Sequence, residues 1–102
     1  MNNFIFKVNE IPPIEKIIEL YTDSGLNRPI IDYNRIKKMY LNSNLIISVW
    51  DGDNLIAIAR ALTDFCYACY LADLAVKKRY QKKGIGRKLI KLILKEILKK
   101  LL

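Results

Sequence analysis

The 102-residue sequence predicts an α+β domain of the α/β/α sandwich type, with a mostly antiparallel sheet flanked by helices in the order β-α-α-β-β-β-α. Three observations carry this. Apolar residues at Ile14, Ile17, Ile18 and Tyr21, and again at Leu89, Ile90, Ile93, Leu94, Ile97, Leu98 and Leu101, follow the spacing of helices with one buried face. The β-prone runs Leu45 to Trp50 and Leu55 to Leu62 flank Asp51-Gly52-Asp53-Asn54, and Asp-Gly between such runs is a strong hairpin signal. A third such run extends from Tyr67 to Val76.

The elements follow in order. Phe4 to Val8, rich in aromatic and β-branched residues, predicts an opening strand that Ile11-Pro12-Pro13 breaks. Pro13 suits the first position of a helix that Ser24-Gly25 ends. Asn27 to Ile31 is loop, and Asp32 or Asn34 can cap a second helix through Ile36, Met39 and Tyr40, closed by Asn42-Ser43-Asn44. The hairpin comes next, then a turn near Asp64, the third run, and a helix from Gly84 to Leu102. One domain spans residues 1–102, without linker, repeat or membrane-length apolar run.

Composition limits the chemistry. With 52% apolar and 27% charged residues the chain can build a core, which excludes intrinsic disorder. There is no histidine, so Ser-His and Cys-His pairs are excluded, and catalysis must use carboxylates, tyrosines, thiols or backbone amides. Residues 1–76 carry 7 positive and 9 negative charges, whereas residues 77–102 carry 11 positive charges and only Glu96. Such a concentrated field favours an anionic partner. Cys66 and Cys69 have C-x-x-C spacing but lie in a strand-like run, where residues three apart point to opposite faces, so they are expected to be ordinary strand residues. With no secretory signal visible, a reduced, cytoplasmic setting is expected.

The informative segment joins the third run to the last helix: Asp73-Leu74-Ala75-Val76, the basic turn Lys77-Lys78-Arg79-Tyr80, then Gln81-Lys82-Lys83-Gly84-Ile85-Gly86-Arg87-Lys88. Glycine permits positive φ and close approach of main chain to a ligand, so successive amides can converge on one anion where the helix N-terminus adds its own partial charge. A pyrophosphate suits such a nest, with Lys82, Lys83, Arg87 and Lys88 near its oxygens. This is neither the P-loop nor the dinucleotide fingerprint, whose third glycine would be Leu89.

Gln81-Lys82-Lys83-Gly84-Ile85-Gly86, with the flanking Asp73 to Val76 and Arg87-Lys88-Leu89-Ile90, resembles the Q/R-x-x-G-x-G/A signature of the GNAT superfamily of N-acetyltransferases. The upstream order of strand, two helices and three strands also resembles that family's first half. The resemblance implies acetyl-CoA as cosubstrate and no metal. Backbone groups of Leu74, Ala75 and Val76 would hold the pantetheine arm like an added strand, and amides from Gln81 to Lys88 would cradle the pyrophosphate. It further implies direct attack of an acceptor amine within a ternary complex, with an N-H near Leu74 polarising the acetyl carbonyl.

The chain also departs from the family. A fifth strand, a fourth helix and usually two further strands would follow Leu102, so the sequence is expected to be the N-terminal, truncated portion of such an enzyme. Where some members carry a glutamate base this chain has Tyr70. Asp73 is the nearest acid and is open to two readings, as base or as a hydrogen-bonding residue; water is a further candidate. Tyr67, Tyr70 and Trp50 are candidates for the acceptor site or for core. Lys88, Lys91, Lys95 and Lys99 read most simply as a solvated helix face. The alternative function is a non-catalytic module whose basic amphipathic helix 84–102 docks on a partner protein or anionic membrane. The expected partners are a small-molecule or peptide amine and a second copy of the chain, with no nucleic acid and no membrane.

Overall fold

The computed structural model describes residues 3–101. Strands β1 (Ile5–Val8), β2 (Leu45–Asp51), β3 (Asn54–Thr63) and β4 (Cys69–Val76) form one antiparallel sheet in the order β1-β2-β3-β4. Helices α1 (Ile14–Ser24) and α2 (Tyr33–Leu41) cover one face and α3 (Ile85–Leu101) the other.

Alternation along the strands divides the core accordingly. Ile46 and Trp50 of β2 and Ile58 of β3 meet Ile17, Leu20 and Tyr21 of α1 and Ile36 and Tyr40 of α2. Leu45, Ile47 and Val49, with Ala57, Ala59 and Ala61, meet Ile85, Leu89 and Ile93 of α3. The small alanines of β3 let the bulkier face of α3 settle close to the sheet.

Several local expectations are refined. Pro13 is the N-cap of α1 and not its first residue: its backbone is extended at ψ 134°, and its carbonyl accepts from Lys16 and Ile17. Gly25 ends that helix at φ +82° with its N-H on the Tyr21 carbonyl, and the Asp32 side chain caps α2 through the Arg35 amide at 3.0 Å. The hairpin is tighter than a four-residue link, since Asp51 pairs with Asn54 and only Gly52, at φ +60°, and Asp53 turn the chain.

The third run starts late. Asp64 Oδ1 accepts from the amides of Cys66, Tyr67 and Ala68 at 2.8–3.0 Å, which curls those residues into a turn. Cys66 therefore is not a strand residue, and β4 begins at Cys69; both thiols are free and exposed. The last helix begins at Ile85 with Gly84 outside it, and Leu102 lies outside the described residues.

Two bulges shape the sheet. One leaves Ile56 unpaired where Ala57 faces Val49 and Leu55 faces Trp50. The other lies in β4, where Arg60 faces Asp73 and Ala61 faces Leu71, so Ala72 is the extra residue.

Candidate active site

Strand β4 is the edge of the sheet among the described residues. The Lys77 amide donates to the Ile56 carbonyl on the β3 side at 2.8 Å. By the two-residue alternation of an antiparallel ladder, the main-chain groups of Leu74 and Val76 then face the outer edge, whereas those of Ala75 face Ile58 of β3. Of the three residues expected to hold the pantetheine arm, Leu74 and Val76 turn their main-chain groups to the outer edge, whereas those of Ala75 are spent in the ladder.

Beyond β4 the chain makes a short 3-10 turn, Lys78–Tyr80, whose Tyr80 hydroxyl donates to Asp51 Oδ2 at 2.6 Å. Gln81 Nε2 donates to the outward Val76 carbonyl at 2.7 Å, tying the turn to the strand edge. Lys82 (φ +63°) and Gly84 (φ +86°) then place the chain in left-handed conformations before α3 starts. The Gln81 amide donates to the Lys78 carbonyl and the Lys88 amide to the Gly84 carbonyl. Between them, the amides from Lys82 to Arg87 meet no acceptor among the described residues. The free run is therefore shorter at both ends than Gln81 to Lys88. It borders a cavity of about 500 Å3 lined by Val76, Tyr80, Gln81, Lys82, Gly84, Ile85, Gly86 and Arg87. A Cβ built on Gly84 meets nothing within 4 Å and would project into open space. Clustered orphan donors at a helix N-terminus, in a basic turn with no side chain at Gly84, fit a phosphate-bearing ligand.

Behind the β4 bulge lies a buried polar cluster that joins every layer on that face. Asp73, 1% exposed, accepts from Arg28 Nε (2.5 Å), Arg60 Nε (2.6 Å) and the Tyr21 hydroxyl (2.8 Å). Tyr21 also shares a hydrogen bond with the Tyr40 hydroxyl of α2, and Arg28 Nη2 donates to the Ala72 carbonyl at 2.9 Å. Burial pushes the Asp73 carboxyl up, but the hydrogen bonds from Arg60, Tyr21 and Arg28 outweigh it and hold it below its ordinary value. Burial, and then the Tyr40 and Asp73 oxygens, pushes the Tyr21 phenol far up. Of the two readings of Asp73, the geometry supports the hydrogen-bonding one: the carboxylate is closed off from an incoming ammonium group by the groups that hold it.

The three aromatic candidates are not brought together. Tyr70 faces Leu62 and Trp50 faces Leu55, seven residues apart along β3, about 23 Å at the strand rise. Tyr67 and Tyr70 are exposed near the start of β4, while Trp50 is 8% exposed beneath Lys7 and Lys16, whose Nζ atoms stand 4.9 and 6.0 Å from its ring centroid. Sequence reasoning did not find Arg28, Tyr21, Tyr40 and Arg60 as one cluster. Arg60, a charge inside an otherwise apolar strand, was the available signal.

The chain thus joins a mixed sheet-and-helix layer, a bulged edge strand and an amide-lined helix start in one region. The acetyltransferase (GNAT) family model matches residues 14–101, and the chain belongs to that family. A protein of unknown function from meticillin-resistant Staphylococcus aureus, described as a probable acetyltransferase, superposes with a TM-score of 0.81 at 26% identity, covering 93% of this chain and 71% of that one. A GNAT-family acetyltransferase from Streptococcus pneumoniae gives 0.78 at 25% identity, covering 98% and 72%. The ribosomal-protein-S18-alanine N-acetyltransferase from Escherichia coli gives 0.74 at 14% identity, covering 93% and 61%, a likeness of fold alone. Among curated proteins no match is found.

Proposed function

We propose that the chain binds acetyl-CoA and positions its acetyl group for transfer to a primary amine. The observation that carries this is the run of unsatisfied amides from Lys82 to Arg87 around Gly84, directly beyond the outward-facing main chain of Leu74 and Val76. Acetyl-CoA supplies the activated thioester. Leu74 and Val76 hold the extended pantetheine arm by strand-like hydrogen bonds, and the Leu74 amide polarises the acetyl carbonyl. The amides of Lys82 to Arg87 hold the pyrophosphate, with Lys82, Lys83, Arg87 and Lys88 supplying positive charge around it.

The amine approaches over the outer edge of β4, on the side where Tyr70 stands exposed. Asp73 holds the bulge instead of taking the proton, so the ammonium loses its proton to water before attack; as the C–N bond forms the C–S bond breaks, the second amine proton passes to water, and the CoA thiolate leaves and takes a proton from solvent. The rate then derives from alignment of amine and acetyl group. The basic-helix docking alternative is not favoured, because α3 spends Ile85, Leu89 and Ile93 on the sheet, and Gly84 just before it and Gly86 in its first turn serve a phosphate nest better than a surface-seeking helix.

Calorimetric titration with CoA tests the reading. Saturable binding is expected, and Gly84→Glu should abolish it by placing a carboxylate in the cradle. Absence of heat, or equal binding by the Gly84→Glu variant, would sink it.

A further inference from the structure

The connection between β1 and α1 borders, with the β2-β3 turn, a cavity of about 480 Å3 that shares no residue with the phosphate cradle. Part of its lining is apolar and stiff: the rings of Pro12 and Pro13, with Ile11 and the Trp50 indole. The rest is polar and unspent. Lys7 is paired in register with Ser48 of β2, so the two side chains leave the same face of the sheet as neighbours. Ser48 is fully buried and accepts from Trp50 Nε1 at 2.9 Å, while its own hydroxyl proton has no acceptor among the described residues. Lys16 Nζ is anchored on the Asp53 carbonyl at 2.8 Å and keeps its other N-H donors. Glu10 and Asp53 add a carboxylate each, yet none of the four charged groups of this lining forms an ion pair among the described residues. Two cations and two anions that surround one space without neutralising each other suit a ligand carrying both charges.

We propose that this cavity binds a free α-amino acid with an apolar side chain. Its carboxylate takes the donors of Lys7, Lys16 and Ser48, its ammonium group faces Glu10 and Asp53, and its side chain packs on Trp50 and the prolines. A simple anion would meet two repelling carboxylates and a simple amine two repelling ammonium groups; only the zwitterion finds a partner for each end. An amine held here is not the one acetylated in the proposed reaction, because β1 and β4 are opposite edges of the sheet, about 14 Å apart at the usual strand spacing. The cavity is a second ligand site, argued independently of CoA binding.

Calorimetric titration with L-phenylalanine as the probe is the test, beside two analogues that each lack one charge, 3-phenylpropanoate and 2-phenylethylamine. Phenylalanine is expected to saturate a single site on the chain, and each analogue to bind about tenfold more weakly for want of one charge-assisted contact. Lys7→Met should weaken phenylalanine and 3-phenylpropanoate about tenfold without weakening 2-phenylethylamine. Glu10→Gln should weaken phenylalanine and 2-phenylethylamine without weakening 3-phenylpropanoate. In each variant the ligand that keeps its affinity shows that the cavity is still formed. Absence of phenylalanine binding overturns the proposal, as does binding of either analogue as tightly as phenylalanine. Unchanged phenylalanine affinity in both variants would overturn it too.

Discussion

Arg28 bolts the loop between α1 and α2 to the bulge of β4: its Nε donates to Asp73 Oδ1 at 2.5 Å and its Nη2 to the Ala72 carbonyl at 2.9 Å. Asp73 directly precedes Leu74, whose amide faces the strand edge, so one carboxylate ties together α1, the loop, β3 and the main chain that presents the proposed acetyl site.

Removing this carboxylate leaves two guanidinium groups and a buried phenol without their acceptor. Asp73→Ala is expected to destabilise the fold by about 3–5 kcal/mol, the usual result of breaking a buried pair. Arg28→Ala, whose side chain is 28% exposed, should lose less, about 1–2 kcal/mol, because solvent screens it. Urea unfolding of the three proteins measures both; a change below ~1 kcal/mol for Asp73→Ala would contradict the tie.

The same carboxyl makes stability depend on pH. Its folded pKa lies below the ordinary 3.8, so its contribution is complete above that value and disappears as pH falls through the folded one. The stability gap between the native chain and Asp73→Asn should therefore be widest near neutrality and shrink well below pH 4. A gap that stayed constant down to full acid unfolding would exclude Asp73 as the titrating group.

The two glycines of the turn should respond in opposite senses. At Gly84 an added Cβ meets no atom, but φ is +86°, so Gly84→Ala is expected to destabilise by about 1–2 kcal/mol through backbone strain alone. At Gly86, inside the first turn of α3, a Cβ makes ordinary contacts with Leu74 at 3.9 Å and Val76 at 4.0 Å. Gly86→Ala should leave stability unchanged or raise it by up to about 1 kcal/mol. Thermal melts of both variants decide the order.

We also expect copies of the chain to associate. The outer edge of β4 carries unpaired main-chain groups among the described residues, and Ile90, Leu94, Leu98 and Leu101 of α3 are exposed. Light scattering should show a mass that rises with concentration and falls back in Leu94→Lys/Leu98→Lys. A constant monomer mass would refute this.

Much of the architecture was legible because it is encoded locally. The Asp-Gly turn, the Gly25 stop and the Asp32 cap each act within a few residues, and the glycines that shape the phosphate turn are contiguous in sequence. What remained hidden acts at long range: Asp73 finds its partners 45, 13 and 52 residues away, and no spacing rule announces such a meeting. The Cys66 to Ala68 segment was misread because its β-prone composition was overruled by one Asp64 side chain gathering three amides. Trp50 and Tyr70 looked alike as strand aromatics, yet alternation and distance along β3 separate them into core and edge.

The collar of Lys7 and Lys16 over Trp50 has a spectroscopic corollary. Trp50 is the only tryptophan, so its emission reports on one address, the junction of β1, β2 and α1. Two ammonium groups above the indole concentrate anions there and repel cations, so iodide will quench the native fluorescence more efficiently than caesium. Once β1 peels away that asymmetry relaxes, and the ratio of the two quenchers becomes a label-free gauge of how firmly the first strand is seated.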